Sequence, residues 1–211
     1  LDASGHAHIS YMGYGAKYDL KYATDVSGPW VITTVDSSVS VWYRCSIALD
    51  KTGHAHISYL DYTNRDLKYA TNASGAWVTT TVDSDGNVGY DSSLAIDGLG
   101  YAHISYLDNT NLDLKYATNA SGAWVTTTVD SDREIGSYTS LSLDTKGKAH
   151  ISYLDWNNSS LKYATNASGA WITTTVDNSG KVGYDTSLKL DSKGKVHISY
   201  NDEWNADLRY A

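Results

Sequence analysis

Phenylalanine is absent from this chain, cysteine and proline each occur once, and no run of 18 apolar residues exists. Each scarcity removes a class of protein. The single thiol, Cys45, cannot build an internal disulfide framework and leaves the redox compartment open. Without a long apolar run no membrane span is expected. Cations are few as well: 16 Lys and Arg stand against 24 Asp and Glu, a formal net charge of −8. That argues against a nucleic-acid partner, because phosphate binding needs clustered Lys and Arg. No basic, apolar leader opens the chain; Leu1-Asp2 begins in mid-repeat, so the stretch reads as excised or processed from a longer precursor.

What is present is strand-forming. Tyr (18) and Trp (7) supply the aromatic content, and Thr, Val and Ser are abundant, a composition of sheets and turns. One stretch is written five times: Ala55-His56-Ile57-Ser58-Tyr59, a polar loop, then Leu67-Lys68-Tyr69-Ala70. It recurs at His8 with Leu20, His103 with Leu114, His150 with Leu161 and His197 with Leu208, and the Leu element returns every 47 residues. Such periods mark solenoids, propellers or arrays.

One unit predicts four strands. Strand A covers 93–97, and Asp97-Gly98-Leu99-Gly100 has the chemistry of a type I turn with a positive-φ glycine. Strand B follows at 102–107, a polar loop leads to C at 114–118, Asn119-Ala120-Ser121-Gly122 turns, and D runs over 124–130. The longest connection then passes Ile135-Gly136-Ser137-Tyr138 to the next A strand. A meander of this kind buries both faces by packing copies radially. The fold class is therefore all-β, a β-propeller of four-stranded antiparallel blades with five blades, the first and last incomplete. A β-solenoid is the alternative. The whole chain, 1–211, is one domain with units at about 1–44, 45–92, 93–139, 140–186 and 187–211. It is 24 residues short of five full units, lacking one D strand, one connection and most of one A strand. Either a ring is incomplete at its seam or the chain is a window on a longer array. The unfilled edges would then show a gap or invite self-association.

The layout of apolar strand, Asp-x-x-Gly turn, short Tyr-containing strand, Leu-Lys-Tyr strand, Asn-Ala-Ser turn and Trp-led strand resembles the tachylectin family. That resemblance implies a five-bladed propeller lectin for N-acetylated sugars. The chain is also similar, over its whole length, to tandem-repeat propellers of secreted microbial proteins with His-Ile-Ser-Tyr and Leu-Lys-Tyr-Ala motifs. No tachylectin sugar-binding residue is carried over, because no motif matches position by position. The Asp-box of sialidase propellers is not matched by Asp144-Thr145-Lys146-Gly147, whose Asp-to-Gly spacing differs.

Repetition also sorts the chemistry. His8, His56, His103, His150 and His197 occupy one position of every B strand. They would lie on the order of 10 Å or more apart, too far to share a metal ion, so each is expected to bond within its own blade. Asp36, Asp83, Asp130 and Asp177 close D strands and recur with the blade, unlike the unique carboxylate pair of a glycosidase. Asp83-Ser84-Asp85-Gly86-Asn87 has the oxygen density of a calcium loop, but its counterparts introduce cations, and a solvated connection is expected. The sequons at Asn72, Asn119 and Asn166 read as turn residues. No catalytic residue, metal site or cofactor is assigned.

The copies differ mainly at one rim. B-to-C loops and D-to-A connections should emerge together, bringing Tyr14, Tyr62, Trp156 and Trp204 beside Trp42, Tyr43, Tyr90, Tyr138 and Tyr184. Aromatic faces among Asp, Asn and Arg suit a carbohydrate or peptide site, although the same rings could cover seams between blades. The sequence thus points to a non-enzymatic, extracellular or cell-surface recognition module whose partner is a glycan or surface protein. A structural or filament building block is the alternative, and a glycoside hydrolase-like propeller a weaker one.

Overall fold

The computed structural model describes residues 1–15, 18–132 and 134–211; Ala16 and Lys17 of the first B-to-C loop and Arg133 of the third D-to-A connection lie outside the described residues. Among the described residues there are eighteen strands and no helix, arranged as five antiparallel sheets whose strands follow in chain order. The first sheet is β1 (His8–Gly13), β2 (Asp19–Thr24) and β3 (Val31–Asp36). The second is β4 (Val41–Leu49), β5 (Ala55–Asp61), β6 (Asp66–Thr71) and β7 (Val78–Asp83). The third is β8 (Val88–Ile96), β9 (Ala102–Asp108), β10 (Asp113–Thr118) and β11 (Val125–Asp130). The fourth is β12 (Ile135–Leu143), β13 (Ala149–Asp155), β14 (Ser160–Thr165) and β15 (Ile172–Asp177). The last is β16 (Val182–Leu190), β17 (Val196–Asp202) and β18 (Asp207–Tyr210). The first sheet lacks an A-type strand and the last a D-type strand, in keeping with the strand count read from the sequence.

Local chemistry makes the hairpins. In the third sheet the Gly100 amide donates to the Asp97 carbonyl at 3.1 Å, and Asp97 Oδ1 accepts from the amides of Leu99 and Tyr101. Gly53, Gly100, Gly147 and Gly194 hold φ of 87°, 90°, 75° and 78°, as the turn assignment requires. The sequon asparagines serve turns too: Asn72, Asn119 and Asn166 each accept the amide that opens the B strand, at 2.8 Å.

The A strands differ from expectation. They begin at Val41, Val88, Ile135 and Val182, so the supposed long connection is a bulged extension of strand A. The cause is contact with the preceding sheet. The Val88 amide donates to the Arg65 carbonyl of the preceding loop at 3.0 Å, and Gly89 then approaches the backbone so closely that a β-carbon would lie 2.8 Å from Leu67 Cα. Gly136 and Gly183 repeat this against Leu114 and Leu161.

Consecutive sheets bury four apolar interfaces. In the second of them Leu67, Tyr69 and Val82 meet Val88, Leu94, Ile104 and Tyr106. Each interface also carries a staple from the preceding D strand. Asp83 accepts from the Tyr106 hydroxyl and from Lys115, both at 2.6 Å. Asp36 does so with Tyr59 and Lys68, Asp130 with Tyr153 and Lys162, and Asp177 with Tyr200 and Arg209. Since Asp83 is committed in this way and its Oδ1 accepts the Asp85 amide, the segment after it is a capped connection. The outward faces of the end sheets are open: Leu208 is 82% and Ile9 46% exposed, where Leu67 and Ile57 are fully buried.

Each B-strand histidine bonds inside its own sheet, as expected. Nδ1 of His8, His56, His103, His150 and His197 meets the hydroxyl of Tyr22, Tyr69, Tyr116, Tyr163 and Tyr210 on strand C. In His8, His56, His103 and His197 the other ring nitrogen faces the turn aspartate, within 3.4 to 3.6 Å. Cys45 occupies the position of Ser92, Thr139 and Thr186 and reaches Ser10 at 3.2 Å, a small residue at a sheet junction.

Candidate functional site

The B-to-C loops and D-to-A connections do emerge at one end, and backbone bonds tie them together. The amides of Tyr62, Asn109, Trp156 and Glu203 donate to the carbonyls of Ser40, Asn87, Glu134 and Lys181 at 2.8 to 2.9 Å. A buried aspartate shapes each of the last four loops: Asp108 Oδ1 accepts the amides of Thr110 and Asn111, and Oδ2 accepts the Asn111 side chain. Asp61, Asp155 and Asp202 cap their own loops with Asn64, Asn158 and Asn205.

At this end the aromatic candidates fall into three groups. Trp42, Tyr62 and Tyr90 share a cleft of about 480 Å³ between the second and third sheets, with Tyr43, Asp91, Leu107 and Asn109. The second sheet departs from its copies here. Trp42 stands where the others have Gly89, Gly136 and Gly183, and an indole cannot enter that close approach. The pairing shifts instead: Trp42 takes the position opposite Leu60 that Tyr90 takes opposite Leu107. The positive φ falls on Tyr43 alone, at 68°, whereas the other copies carry two, one at Gly89, Gly136 and Gly183 and one at Asp91, Tyr138 and Asp185. Trp42 thus swings to the mouth, 4.7 Å from Tyr18 and 5.9 Å from Tyr62 between ring centroids, while Tyr43 stacks edgewise on Tyr90 at 5.3 Å. Tyr14, 84% exposed, packs on Tyr18, which in turn packs on Trp42.

The second group is Tyr138, Trp156 and Tyr184. Trp156 stands edge-on to Tyr184 at 5.2 Å, and Tyr138 lies 5.8 Å from the same ring. Tyr184 is 5% exposed, so it supports Trp156 from beneath. Trp156 also closes a smaller cleft of about 310 Å³ with Asn109, Leu112, Glu134 and Ser137. Trp204 stands alone. It covers Gly180 and is 72% exposed; its counterparts Thr63 and Thr110 accept the amides of Ser40 and Asn87.

One A-strand position from each of four sheets converges beside these clefts. Arg44 binds Asp185 at 2.7 Å and lies over the Tyr138 ring at 5.4 Å, and Asp91 Oδ2 accepts the Tyr138 amide at 3.1 Å. Asp91 and Asn109 are cleft residues that the sequence marked only as neighbours of the aromatics. Their signal was variation: Asn109 stands where other loops have Tyr62, Trp156 and Glu203. Two carboxyls near the loops are shifted upward. Burial and the Asp61 charge raise Asp66, and burial and the Asp108 charge raise Asp113. Both close the same hairpin in successive sheets, so neither is unique to one cleft. At the opposite end an axial cavity of about 530 Å³ is lined chiefly by aliphatic side chains such as Ile47, Leu49, Leu94 and Leu141.

No protein-family model matches the sequence, and no curated protein matches it. Solved structures do match the fold. A Penicillium chrysogenum alpha-L-arabinanase complexed with arabinobiose is 10% identical, with a TM-score of 0.69 over 100% of this chain and 75% of the enzyme. A protein of unknown function from Dyadobacter fermentans is 9% identical, with a TM-score of 0.67 over 99% and 75%. A mutant Aleuria aurantia lectin in complex with alpha-methyl-L-fucoside is 10% identical, with a TM-score of 0.58 over 98% and 76%. The likeness is one of fold, and the fold is a β-propeller.

Proposed function

We propose that the protein is a non-enzymatic recognition module that binds glycans outside the cell, with its five sheets acting as blades of one ring. The observation that carries this reading is the cleft of Trp42, Tyr43, Tyr62 and Tyr90 with Asp91 and Asn109. Sugars offer apolar C–H faces and a rim of hydroxyls, which such a mixture of ring faces and planar polar groups can match. The next junction has one ring, Trp156, among Asn109, Glu134 and Ser137, so the clefts are differentiated rather than repeated. Hydrolysis is the second reading, favoured by the raised Asp66 beside Asp61 and by the fold shared with the arabinanase. A purely structural role is the third, since Trp156 is partly spent on Tyr184.

A glycan array tests the proposal on wild type, Trp42→Ala and Tyr62→Ala. Binding of a defined glycan class is expected, weakened by about 1 to 3 kcal/mol in each variant, with little change in unfolding midpoint. Silence on the array overturns the glycan reading in favour of the structural one. Release of new reducing ends from a bound glycan overturns the non-enzymatic part.

A further inference from the structure

We infer that the Trp42 cleft selects sugars bearing a free, protonated amine over their N-acetylated counterparts; this rests on the glycan reading above. Four of its seven lining residues are aromatic, one is the carboxylate Asp91 and one the amide Asn109, and among the described residues neither Lys nor Arg lines it. A cation is attracted to the faces of such rings, most strongly Trp, and the attraction grows as water is excluded. The carboxylate completes the site. Asp91 Oδ2 accepts the Tyr138 amide, which fixes the group while leaving lone pairs for a further donor. Arg44, the nearest cation in sequence, feels the Asp91 charge, but its guanidinium bonds Asp185 and lies over the Tyr138 ring, outside the cleft lining.

The site is built by departures from the repeat. Trp42 replaces a glycine, which leaves the positive φ on Tyr43 alone and shifts the strand register so that Trp42 faces Leu60. Asp91 holds its own positive φ of 49°. At the next junction Ser137 stands at the position of Tyr90 and Tyr138 at that of Asp91, and the cleft there has one ring. Acetylation would remove the ligand's charge and with it both the cation–π attraction and the ion pair with Asp91. An amine-bearing sugar, such as a glucosamine oligomer, therefore gains two interactions that its acetylated form lacks.

Titration calorimetry of the full chain with glucosamine tetramer and N-acetylglucosamine tetramer, at a pH where the sugar amine is protonated, reads the difference directly. The free-amine tetramer is expected to bind at least about tenfold more tightly. Asp91→Asn, which keeps an acceptor for the Tyr138 amide, should reduce that preference to what the rings alone supply and leave any binding of the acetylated tetramer unchanged. Trp42→Ala should weaken both. Circular dichroism checks that the variants fold, and Tyr90→Leu replaces Asp91→Asn if the latter does not. Equal affinity for the two tetramers, or a preference that Asp91→Asn leaves undiminished, overturns the inference while the glycan reading stands if the array shows binding. Failure of wild type to bind either tetramer, with a silent array, overturns both. Binding of a trimethyl-lysine peptide with no tetramer bound also overturns it, since the cage would then serve a protein.

Discussion

A β-carbon at Gly100 would meet nothing within 4 Å, while one at Gly136 would lie 2.8 Å from Leu114 Cα in the adjoining sheet. Both residues hold nearly the same φ, 90° and 91°, so the two sites share a backbone cost and differ in space. Gly100→Ala is expected to destabilise by about 1 kcal/mol, the strain of a left-handed residue alone. Gly136→Ala should cost about 1 to 3 kcal/mol more, because two sheets must part to admit the methyl group. Urea unfolding of the two variants measures the difference, and equal losses would mean that the junction has slack. Gly100 was legible, since Asp-x-x-Gly is local turn chemistry. Gly136 was not, because its neighbour Leu114 belongs to the preceding unit. A trace existed all the same in Gly89, Gly136 and Gly183 at one position, with Trp42 as the exception.

At the scale of the strand, the Leu-Lys-Tyr-Ala element sets a cation inside an apolar strand, and only the tertiary structure accounts for it. Lys115 is 8% exposed and Asp83 7%, held at 2.6 Å with the Tyr106 hydroxyl on the same carboxylate. The sequence presented Asp83 as a strand cap, which it also is; its partner lies 32 residues on in the next sheet, beyond any local pattern. Asp83→Asn leaves a buried ammonium without its counter-charge and should destabilise by about 3 to 5 kcal/mol. Adding Lys115→Met should restore part of that loss, since an apolar side chain needs no partner there. A double-mutant cycle by urea unfolding checks this, and additive losses would show that the two groups are not coupled. The mouth was legible to a similar depth. Alternating loops and strands put the aromatics at one end, but their division into groups depends on register. Trp204 sits one loop position beyond Trp156, which sends it over Gly180 instead of toward a cleft.

For the molecule as a whole, the repeated networks make stability depend on pH in two windows. Burial holds His56, His103 and His150 below the ordinary histidine value, against the opposing pull of Asp50, Asp97 and Asp144. In the unfolded chain these rings titrate near about 6.5. Below that pH the unfolded state binds more protons than the folded one, so stability falls as pH falls and is fully present above it. The staple carboxylates act lower. Burial tends to raise Asp36, but hydrogen bonds from Lys68, Ser38 and Tyr59 outweigh it and hold the group at about 2. Asp83 is lowered in the same way by Lys115 and Tyr106. An unfolded aspartate titrates near about 3.9, so this second contribution is intact above that value and is lost on further acidification. Urea unfolding across the pH range should therefore show a plateau above neutrality, a first decline below about 6.5 and a second below about 4. His103→Gln should flatten the first decline by at most about 1.4 kcal/mol per pH unit and leave the second in place. The opposite sign is physically available, because Asp97 lies only 3.4 Å from His103 Nε2 and would welcome a proton there. Stability that rises between neutrality and mild acid would mean that this ion pair outweighs burial, and the histidines would then be charged clasps on the turns rather than neutral partners of the strand C tyrosines.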